Sequence, residues 1–302
     1  MKITALFALL ALNGAHGFTV PAPTTFTSAL KATREEVVNG VRVNGINGTS
    51  RISQAAPFSG TSTLTNASPT RSTKELFKKL NAVKVQGGSL RTCSLDKAIE
   101  RVDVILKTEG RPLNANVELW QGPDNTPMTI AVYLEDGNIR PFRATIDTPN
   151  SSNAIAIRNT GEMEFPLTAA LDPDMRQGSP SPSQTISQRG SSRIVQGGAV
   201  YTTPFEPVVQ SVQICLKTDG RPMNARVELL QGPNNNKQVL DIYCEDGKER
   251  AFFAIMDTPG SGNVIRIVNT ATVEFPLNAI VEPYIVDRNI DSSDDGSGMS
   301  WS

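Results

Sequence analysis

The sequence predicts an all-β protein in which two tandem, homologous domains each form an antiparallel β-sandwich of jelly-roll type, with little helix. The first observation behind this prediction is an internal repeat. "TEGRPLNANVELWQGPDN", which begins at Thr108, returns as "TDGRPMNARVELLQGPNN" at Thr218, and a shift of 110 positions aligns residues 86–174 with 196–284 without a gap, about half of them identical. Two copies of so long a unit indicate a duplicated domain, because solenoid repeats are much shorter. The second observation is that β-branched and aromatic residues recur at every second position between short turns, which is the period of a strand.

Six strands are predicted in the first copy, with counterparts in the second. They are Val102–Leu106, Ala115–Trp120, Thr129–Leu134, Pro141–Ile146, Ala154–Arg158 and Glu162–Thr168. "EDG" at residues 135–137 and 245–247 predicts a hairpin turn, in which Asp-Gly supplies a positive φ. "DTP" at 147–149 and 257–259 predicts a strand end, because proline cannot donate within a ladder.

Comparing the copies also predicts which side chains face the core. Ile155 and Ile157 return as isoleucines in the second copy, whereas Ala156 between them becomes Arg266. Because successive side chains of a strand point to opposite faces, the isoleucines are expected to face the core and the middle position to face outward.

The segments around the repeat are interpreted from their composition. Residues 72–85 contain the best helix candidate, "KELFKKLNAV", with Ser72 or Thr73 as its cap. Residues 175–195 are rich in Pro, Ser, Gln and Gly and are expected to be an exposed, poorly ordered linker. Residues 285–302 are expected to be an acidic flexible tail.

The N-terminus has the composition of a targeting segment. Lys2, an apolar run and small residues predict a signal peptide over residues 1–17, and residues 18–71 are rich in Ser, Thr and Ala with few acids, as in transit peptides. The apolar run is too short to span a bilayer comfortably, and no membrane span is expected. An ordinary secreted protein is the alternative, in which Asn47, Asn66 and Asn150 would be glycosylation sequons.

The composition argues against several classes of function. Basic and acidic residues are balanced, 29 against 30, so there is no electrostatic case for binding nucleic acid. The single histidine, His16, lies in the predicted signal peptide, which removes histidine-based catalysis and most zinc sites from the mature chain. No P-loop, GxSxG or HExxH motif is present, and we predict no enzyme, catalytic residue, cofactor or metal. Cys93, Cys215 and Cys244 have no repeated spacing and are expected to be reduced, mostly buried thiols.

One enzymatic alternative stays open, a pair of carboxylates as in glycoside hydrolysis. The acids that occur in both copies are Glu118/Glu228, Asp136/Asp246, Asp147/Asp257 and Glu164/Glu274. The turn positions of Asp136 and Asp147 favour a local structural role instead.

The most similar polar segments of the two copies, "GRPLNA" and "GRPMNA", are candidate interaction sites. Arg111 and Arg221, with Asn114 and Asn224, would bind a ligand carboxylate or a neighbouring subunit. The alternative is a structural loop, stiffened by Pro and turned by Gly. A carbohydrate-binding module is a further hypothesis for a β-sandwich, although only 6 % of the residues are aromatic.

Two apolar features indicate surfaces that something else has to cover. "PFRATI" in the first copy becomes "AFFAIM" in the second, where Phe253 and Ile255 make the strand apolar on both faces. Either the other domain or another molecule is expected to cover this second face. Trp301, in the tail, is a candidate anchor onto a neighbouring molecule, because an indole has a large apolar area to bury.

The leader and the tandem copies carrying "GRPxNAxVELxQGP", "EDG", "DTP" and "EFPL" together resemble the pyrenoid shell proteins of diatoms, over about residues 86–283. The resemblance implies a structural protein at the pyrenoid periphery in the plastid stroma, which assembles with itself into a sheet around the Rubisco condensate and helps to confine CO2. The implied partners are further copies of the chain and paralogous shell proteins, with the condensate enclosed and direct Rubisco contact left open. Two related but unequal surfaces in one chain suit head-to-tail contacts that extend indefinitely.

Overall fold

The computed structural model describes residues 71–149, 152–174 and 178–287, in which 16 strands and two short helices occur. The elements of the first copy are α1 (Thr73–Phe77), β1 (Val83–Val85), β2 (Leu90–Ser94), β3 (Arg101–Lys107), β4 (Leu113–Gln121), β5 (Asn125–Leu134), β6 (Phe142–Asp147), β7 (Asn153–Asn159) and β8 (Leu167–Asp174). Those of the second copy are α2 (Pro182–Arg189), β9 (Arg193–Val195), β10 (Val200–Pro204), β11 (Val209–Lys217), β12 (Met223–Gln231), β13 (Asn236–Cys244), β14 (Phe252–Asp257), β15 (Asn263–Asn269) and β16 (Leu277–Val286).

The strands form two antiparallel sheets of eight strands each. Sheet A has the order β1-β8-β3-β6-β14-β11-β16-β9, and sheet B has the order β10-β15-β12-β13-β5-β4-β7-β2. Each copy contributes four strands to each sheet in the order of a jelly roll, β1-β8-β3-β6 against β2-β7-β4-β5 in the first copy. The predicted all-β, antiparallel fold is therefore confirmed.

Strand pairing joins the two copies in both sheets. In sheet B, β5 and β13 pair over seven positions, with Ala131 opposite Asp241, and in sheet A, β6 and β14 pair with Ala144 opposite Ala254. In both cases residues that are equivalent in the repeat lie opposite each other. An approximate twofold axis therefore relates the copies, and one hydrophobic core extends through both. The strands that meet at this junction pair with each other across the two copies. The division of the chain into two tandem domains therefore remains a prediction from the repeat.

The core follows the alternation read from the sequence. Ile155 and Ile157 are 0 % and 4 % exposed, and the equivalent isoleucines of the second copy are buried too, as predicted. Arg266 faces outward from sheet B and forms an ion pair with Glu228. Burial of each large core side chain stabilises the folded state by about 1.5–3 kcal/mol. Both copies supply such side chains to the continuous core.

Several elements differ from the sequence prediction, among them β16, which continues to Val286 and so includes the first two residues of the predicted tail. The short strands β1 and β2 were not predicted, and α1 spans little more than one turn before β1 begins. β8 begins at Leu167 rather than at Glu162, because the backbone N–H of Phe165 donates to the Glu162 carbonyl at 2.9 Å and closes a turn. Pro166 follows this turn and lacks the N–H that a strand ladder needs.

The "EDG" segments are not hairpin turns. Residues 135–137 lead from β5 in sheet B to β6 in sheet A, so the strands they connect do not pair. Gly137 does not have a positive φ, but a Cβ atom at this position would lie 2.5 Å from the Oγ1 atom of Thr108. Glycine is therefore required here by a close approach between two loops, and Gly247 meets Thr218 in the same way in the second copy.

Candidate assembly surfaces and the junction between the copies

The duplicated GRPxNA segments form the starts of β4 and β12, and each arginine contacts a second loop of its own copy. Arg111 Nη1 donates to the backbone carbonyl of Glu164 at 3.3 Å, and the guanidinium lies 5.7 Å from the centre of the Phe165 ring. Arg221 makes the equivalent contacts in the second copy at 2.8 Å and 5.8 Å. Each arginine thus contacts the "EFPL" loop of its own copy. These contacts within one copy favour the interpretation of the GRPxNA segments as structural loops. An additional role of these exposed side chains in assembly stays a prediction.

Replacing Arg221 by alanine is expected to lower the free energy of unfolding by about 1 kcal/mol, because a charge-assisted hydrogen bond and a cation–π contact are lost at an exposed site. Denaturant titration measures the change. Arg193→Ala, at an exposed arginine on the edge strand β9, is the matched control and should stay within about 0.5 kcal/mol of the parent. Unchanged stability combined with impaired assembly would instead assign Arg221 to an interface.

Asn114 and Asn224 lie on the outer face of sheet B. In the strand registers, Asn114 is opposite Tyr133 and Asn224 is opposite Tyr243, and the two tyrosines are 38 % and 42 % exposed. Both helices contact strands of sheet A, α1 through Phe77 and α2 through its packing on β11 and β14. The outer face of sheet B therefore presents these asparagines and tyrosines at the surface.

Phe253 and Ile255 are covered within the chain by α2. They are 4 % and 3 % exposed and pack in one cluster with Cys215, Ile280 and Ile186 of the helix. The apolar face predicted on this strand is real, but the linker helix covers it. The expectation that residues 175–195 form an exposed, poorly ordered linker is wrong for residues 182–189, which form α2, and for residues 193–195, which form β9 and pair with β16. Because Phe253 and Ile255 are buried under α2, little of either side chain is available for contact with another molecule.

The sequence "SPSQ" at residues 181–184 contained the signal for this helix. The Ser181 hydroxyl accepts a hydrogen bond from the Gln184 backbone N–H at 3.1 Å, and the Gln184 side chain accepts one from the Ser181 N–H at 3.2 Å. This reciprocal capping box, followed by Pro182 at the first helical position, is a strong helix start. The helix was missed because Ile186 is its only large apolar residue.

The equivalent face of the first copy is polar. Arg143 Nη2 donates to Asp103 Oδ2 at 2.9 Å, and Thr145 Oγ1 donates to Asp103 Oδ1 at 2.5 Å. Arg143 also donates to the backbone carbonyl of Arg71, just before α1. Equivalent helices thus lie beside unlike surfaces, an ion-pair network in the first copy and an apolar cluster in the second.

Two duplicated carboxylates lie near the junction on this same face of sheet A. Asp147 ends β6 and Asp257 ends β14, and because these strands run antiparallel the two acids lie on opposite sides of the twofold axis. Desolvation by burial raises the pKa of each carboxyl to about 6.

Positive charges of both copies surround these carboxylates. Arg101, Lys217 and Arg250 act to lower the pKa of Asp147, but they do not offset the effect of its burial. Lys74, Arg143 and Arg140, all from the first copy, act on Asp257 of the second. The electrostatics of the junction are therefore shared between the copies.

Buried arginines link the copies directly. Arg140 Nη2 donates to the Gln231 side chain at 2.8 Å, and Arg250 Nη2 donates to the Gln121 side chain at 3.2 Å. Each contact joins a loop of one copy to the end of a strand in the other. These reciprocal contacts were not predicted, although Arg and Gln are identical in the two copies at all four positions.

Among the other duplicated acids, Glu118 and Asp136 have local partners. Glu118 accepts a hydrogen bond from Trp120 Nε1 at 2.8 Å, and Asp136 accepts two from the backbone N–H groups of its own turn. Within the described ranges, no group of three or more His, Cys, Asp or Glu side chains is arranged to hold a metal ion.

The three cysteines are free and buried, as predicted. Burial raises the pKa of the Cys215 and Cys244 thiols to about 11. The described part of the chain contains no helix long and apolar enough to cross a membrane. Residues 1–70 of the predicted leader, the sequons and Trp301 lie outside the described residues.

The fold thus defines a duplicated jelly-roll protein whose copies are fused through both sheets. The sequence profile of the family described as diatom pyrenoid shell protein matches residues 76–283. The chain therefore belongs to the diatom pyrenoid shell protein family, which confirms the resemblance seen in its motifs. Membership makes it a shell protein of the pyrenoid, a plastid compartment.

Comparisons with other known proteins add little. A search of curated proteins found no match. Among solved structures, the PBSX exported protein XepA is similar at 10 % identity and a TM-score of 0.24, with 67 % of this chain and 85 % of that one covered. An oxalate decarboxylase is similar at 10 % identity and a TM-score of 0.18, with 71 % of each chain covered. Likenesses this weak carry no functional argument.

Proposed function

We propose that this protein assembles with itself into a sheet that forms a shell around the Rubisco-containing pyrenoid in the plastid stroma, and that the shell supports CO2 concentration and fixation. Membership of the pyrenoid shell family over residues 76–283 carries the proposal, because that range includes nearly every strand. Further copies of the chain and paralogous shell proteins are the proposed partners. The proposed route to the stroma is the signal and transit sequence of residues 1–71.

The two ends of the sandwich support head-to-tail contacts. At the first-copy end the edge strand β1 presents Lys84, whereas at the second-copy end β9 and β10 present Ile194 and Val200. Ile194 is 69 % exposed and Val200 is 57 % exposed. Contacts between unlike surfaces extend into open arrays unless their rotation closes a ring. An end with two exposed apolar edge residues is thus a suitable lattice contact.

Electron microscopy of the chain from residue 72 onward, across protein concentration and ionic strength, tests the proposal. We expect extended sheets or tubes. Ile194→Glu should prevent or strongly reduce them, because it places a charge on the exposed apolar edge. Val273→Glu, at a loop valine that is 72 % exposed, is the matched control and should still assemble.

A discrete monomer under every condition would refute self-assembly. Glycan binding would then be the next activity to test, because Trp120, Tyr133 and Tyr243 lie on the outer face of sheet B, where a carbohydrate would stack. If Ile194→Glu assembled as well as the parent, the β9–β10 end would be excluded as a contact while the shell function stood.

A further inference from the structure

An apolar cavity opens at the first-copy end of the sandwich. It has a volume of about 160 Å³ and lies between sheets A and B, where Ile155 and Ile157 of β7 face Leu171 of β8. Lys79 and Arg91 also line it and place positive charge at a mainly apolar site, to which Asn81 and Thr92 add neutral polar groups. A dry apolar cavity of about 150 Å³ is sufficient to bind a benzene ring in another protein. This cavity therefore has the size and lining for one aromatic side chain.

The second copy differs at this place. Its counterpart of Arg91 is Tyr201, which packs against the hydrophobic core from the equivalent position on β10. Where the second copy carries an aromatic ring of its own, the first copy carries a charged side chain beside an apolar cavity. The difference suggests that the ring for the first copy comes from another segment.

The C-terminal segment has the complementary chemistry. Residues 288–302 contain three aspartates and only one basic residue, and Trp301 follows the last of these aspartates by six positions. An indole carried on an acidic segment matches an apolar cavity lined also by Lys79 and Arg91. The fourteen residue-to-residue steps from Asp287 to Trp301 span up to about 48 Å when the chain is extended.

We infer that the cavity at the first-copy end binds Trp301 from the tail of a second copy of this chain. The inference rests on the proposed self-assembly and names one of its contacts. A second copy is favoured over the same chain because of where the tail begins. β16, from which the tail leaves, lies next to the edge strand β9 at the second-copy end of sheet A, whereas the cavity lies at the first-copy end. The proposed head-to-tail contact brings these two ends of neighbouring chains together.

A peptide of residues 288–302 provides the test, with its tryptophan fluorescence as the readout. The receptor is the full chain carrying Trp301→Ala and Trp120→Leu, which removes both of its tryptophans; leucine is the residue that the second copy has at the latter position. We expect saturable binding with a blue shift of the peptide emission. A peptide with Trp301→Ala, whose binding is measured by calorimetry, should bind at least tenfold more weakly.

Receptor variants locate the site. Arg91→Tyr introduces the residue that the second copy carries, so the fold is expected to accept it, and it should weaken peptide binding at least tenfold by filling the cavity. Lys97→Tyr, at an exposed cation in the β2–β3 turn, is the matched control and should bind like the parent. Equal affinity of the Arg91→Tyr and parent receptors, or no binding of the parent peptide, would overturn the inference.

The full chain with Trp120→Leu alone shows whose tail is bound. Its only tryptophan is then Trp301, and its emission should shift to the blue as protein concentration rises. A shift that is independent of concentration would assign the contact to the same chain and overturn the second-copy inference. Sheets that form without peptide binding would refute this contact alone, whereas peptide binding by a chain that never forms sheets would refute the proposed assembly alone.

Discussion

Replacing Phe253 by alanine is expected to lower the free energy of unfolding by about 3–5 kcal/mol, the usual cost of removing a buried phenylalanine ring. Phe253 is 4 % exposed beneath α2, so the deletion would leave a cavity between the helix and sheet A. Denaturant titration at a protein concentration below the onset of assembly measures the effect. The prediction distinguishes an internal contact from a lattice contact, since a lattice contact would leave the stability of the isolated chain almost unchanged.

Two further variants make this test specific to the linker helix. Ile186→Ala should cost about 2–5 kcal/mol, and the double variant should cost less than the sum of the two, because both side chains belong to one cluster. Met163→Ala, at a loop residue that is 84 % exposed, is the control and should change stability by less than about 0.5 kcal/mol. Strict additivity of the Phe253 and Ile186 variants would contradict direct packing between strand and helix.

The junction carboxylates are expected to make the protein less stable as pH rises from about 4 to about 6. The pKa of Asp147 and of Asp257 is about 6 in the folded protein, above the unfolded value near 3.9. Between these two pKa values the folded state retains protons that the unfolded state has released. The two carboxyl groups therefore contribute favourably to folding below this pH interval, and the contribution is lost as the pH rises through it. Above about pH 6 each carboxylate costs up to about 3 kcal/mol.

Thermal unfolding between pH 4 and pH 8 checks this prediction. Asp147→Asn should raise the melting temperature at pH 7.5 and flatten its pH dependence, because an amide has no charge to desolvate. Asp246→Asn should have the opposite effect and destabilise at neutral pH, since backbone hydrogen bonds in its turn lower the pKa of Asp246. A steeper loss of stability at high pH in Asp147→Asn would show that the ionised aspartate is favoured by Arg101, Lys217 and Arg250.

Side-chain alternation and the repeat were sufficient to predict the strands of the interior. β3 to β7 have the alternation or the buried run that a sandwich strand needs, and they lie close to their predicted positions. The short edge strands β1 and β2 were missed because three to five residues show too little periodicity. The duplicated arginine loops were recognised from sequence, but their contacts with Phe165 and Phe275 depend on residues more than fifty positions away.

The sequence by itself determined that the chain is a duplicated all-β protein of the pyrenoid shell type, because strand period, turn chemistry and the repeated motifs are local properties. Only the tertiary structure decided how the copies meet and what covers each face. The hydrophobicity of Phe253 required that some element cover it. That α2 is this element follows from the path of the chain between the copies. The shared ladders at Ala144 and Ala131 likewise arise from long-range strand pairing, which depends on register and shape across both copies rather than on any one segment.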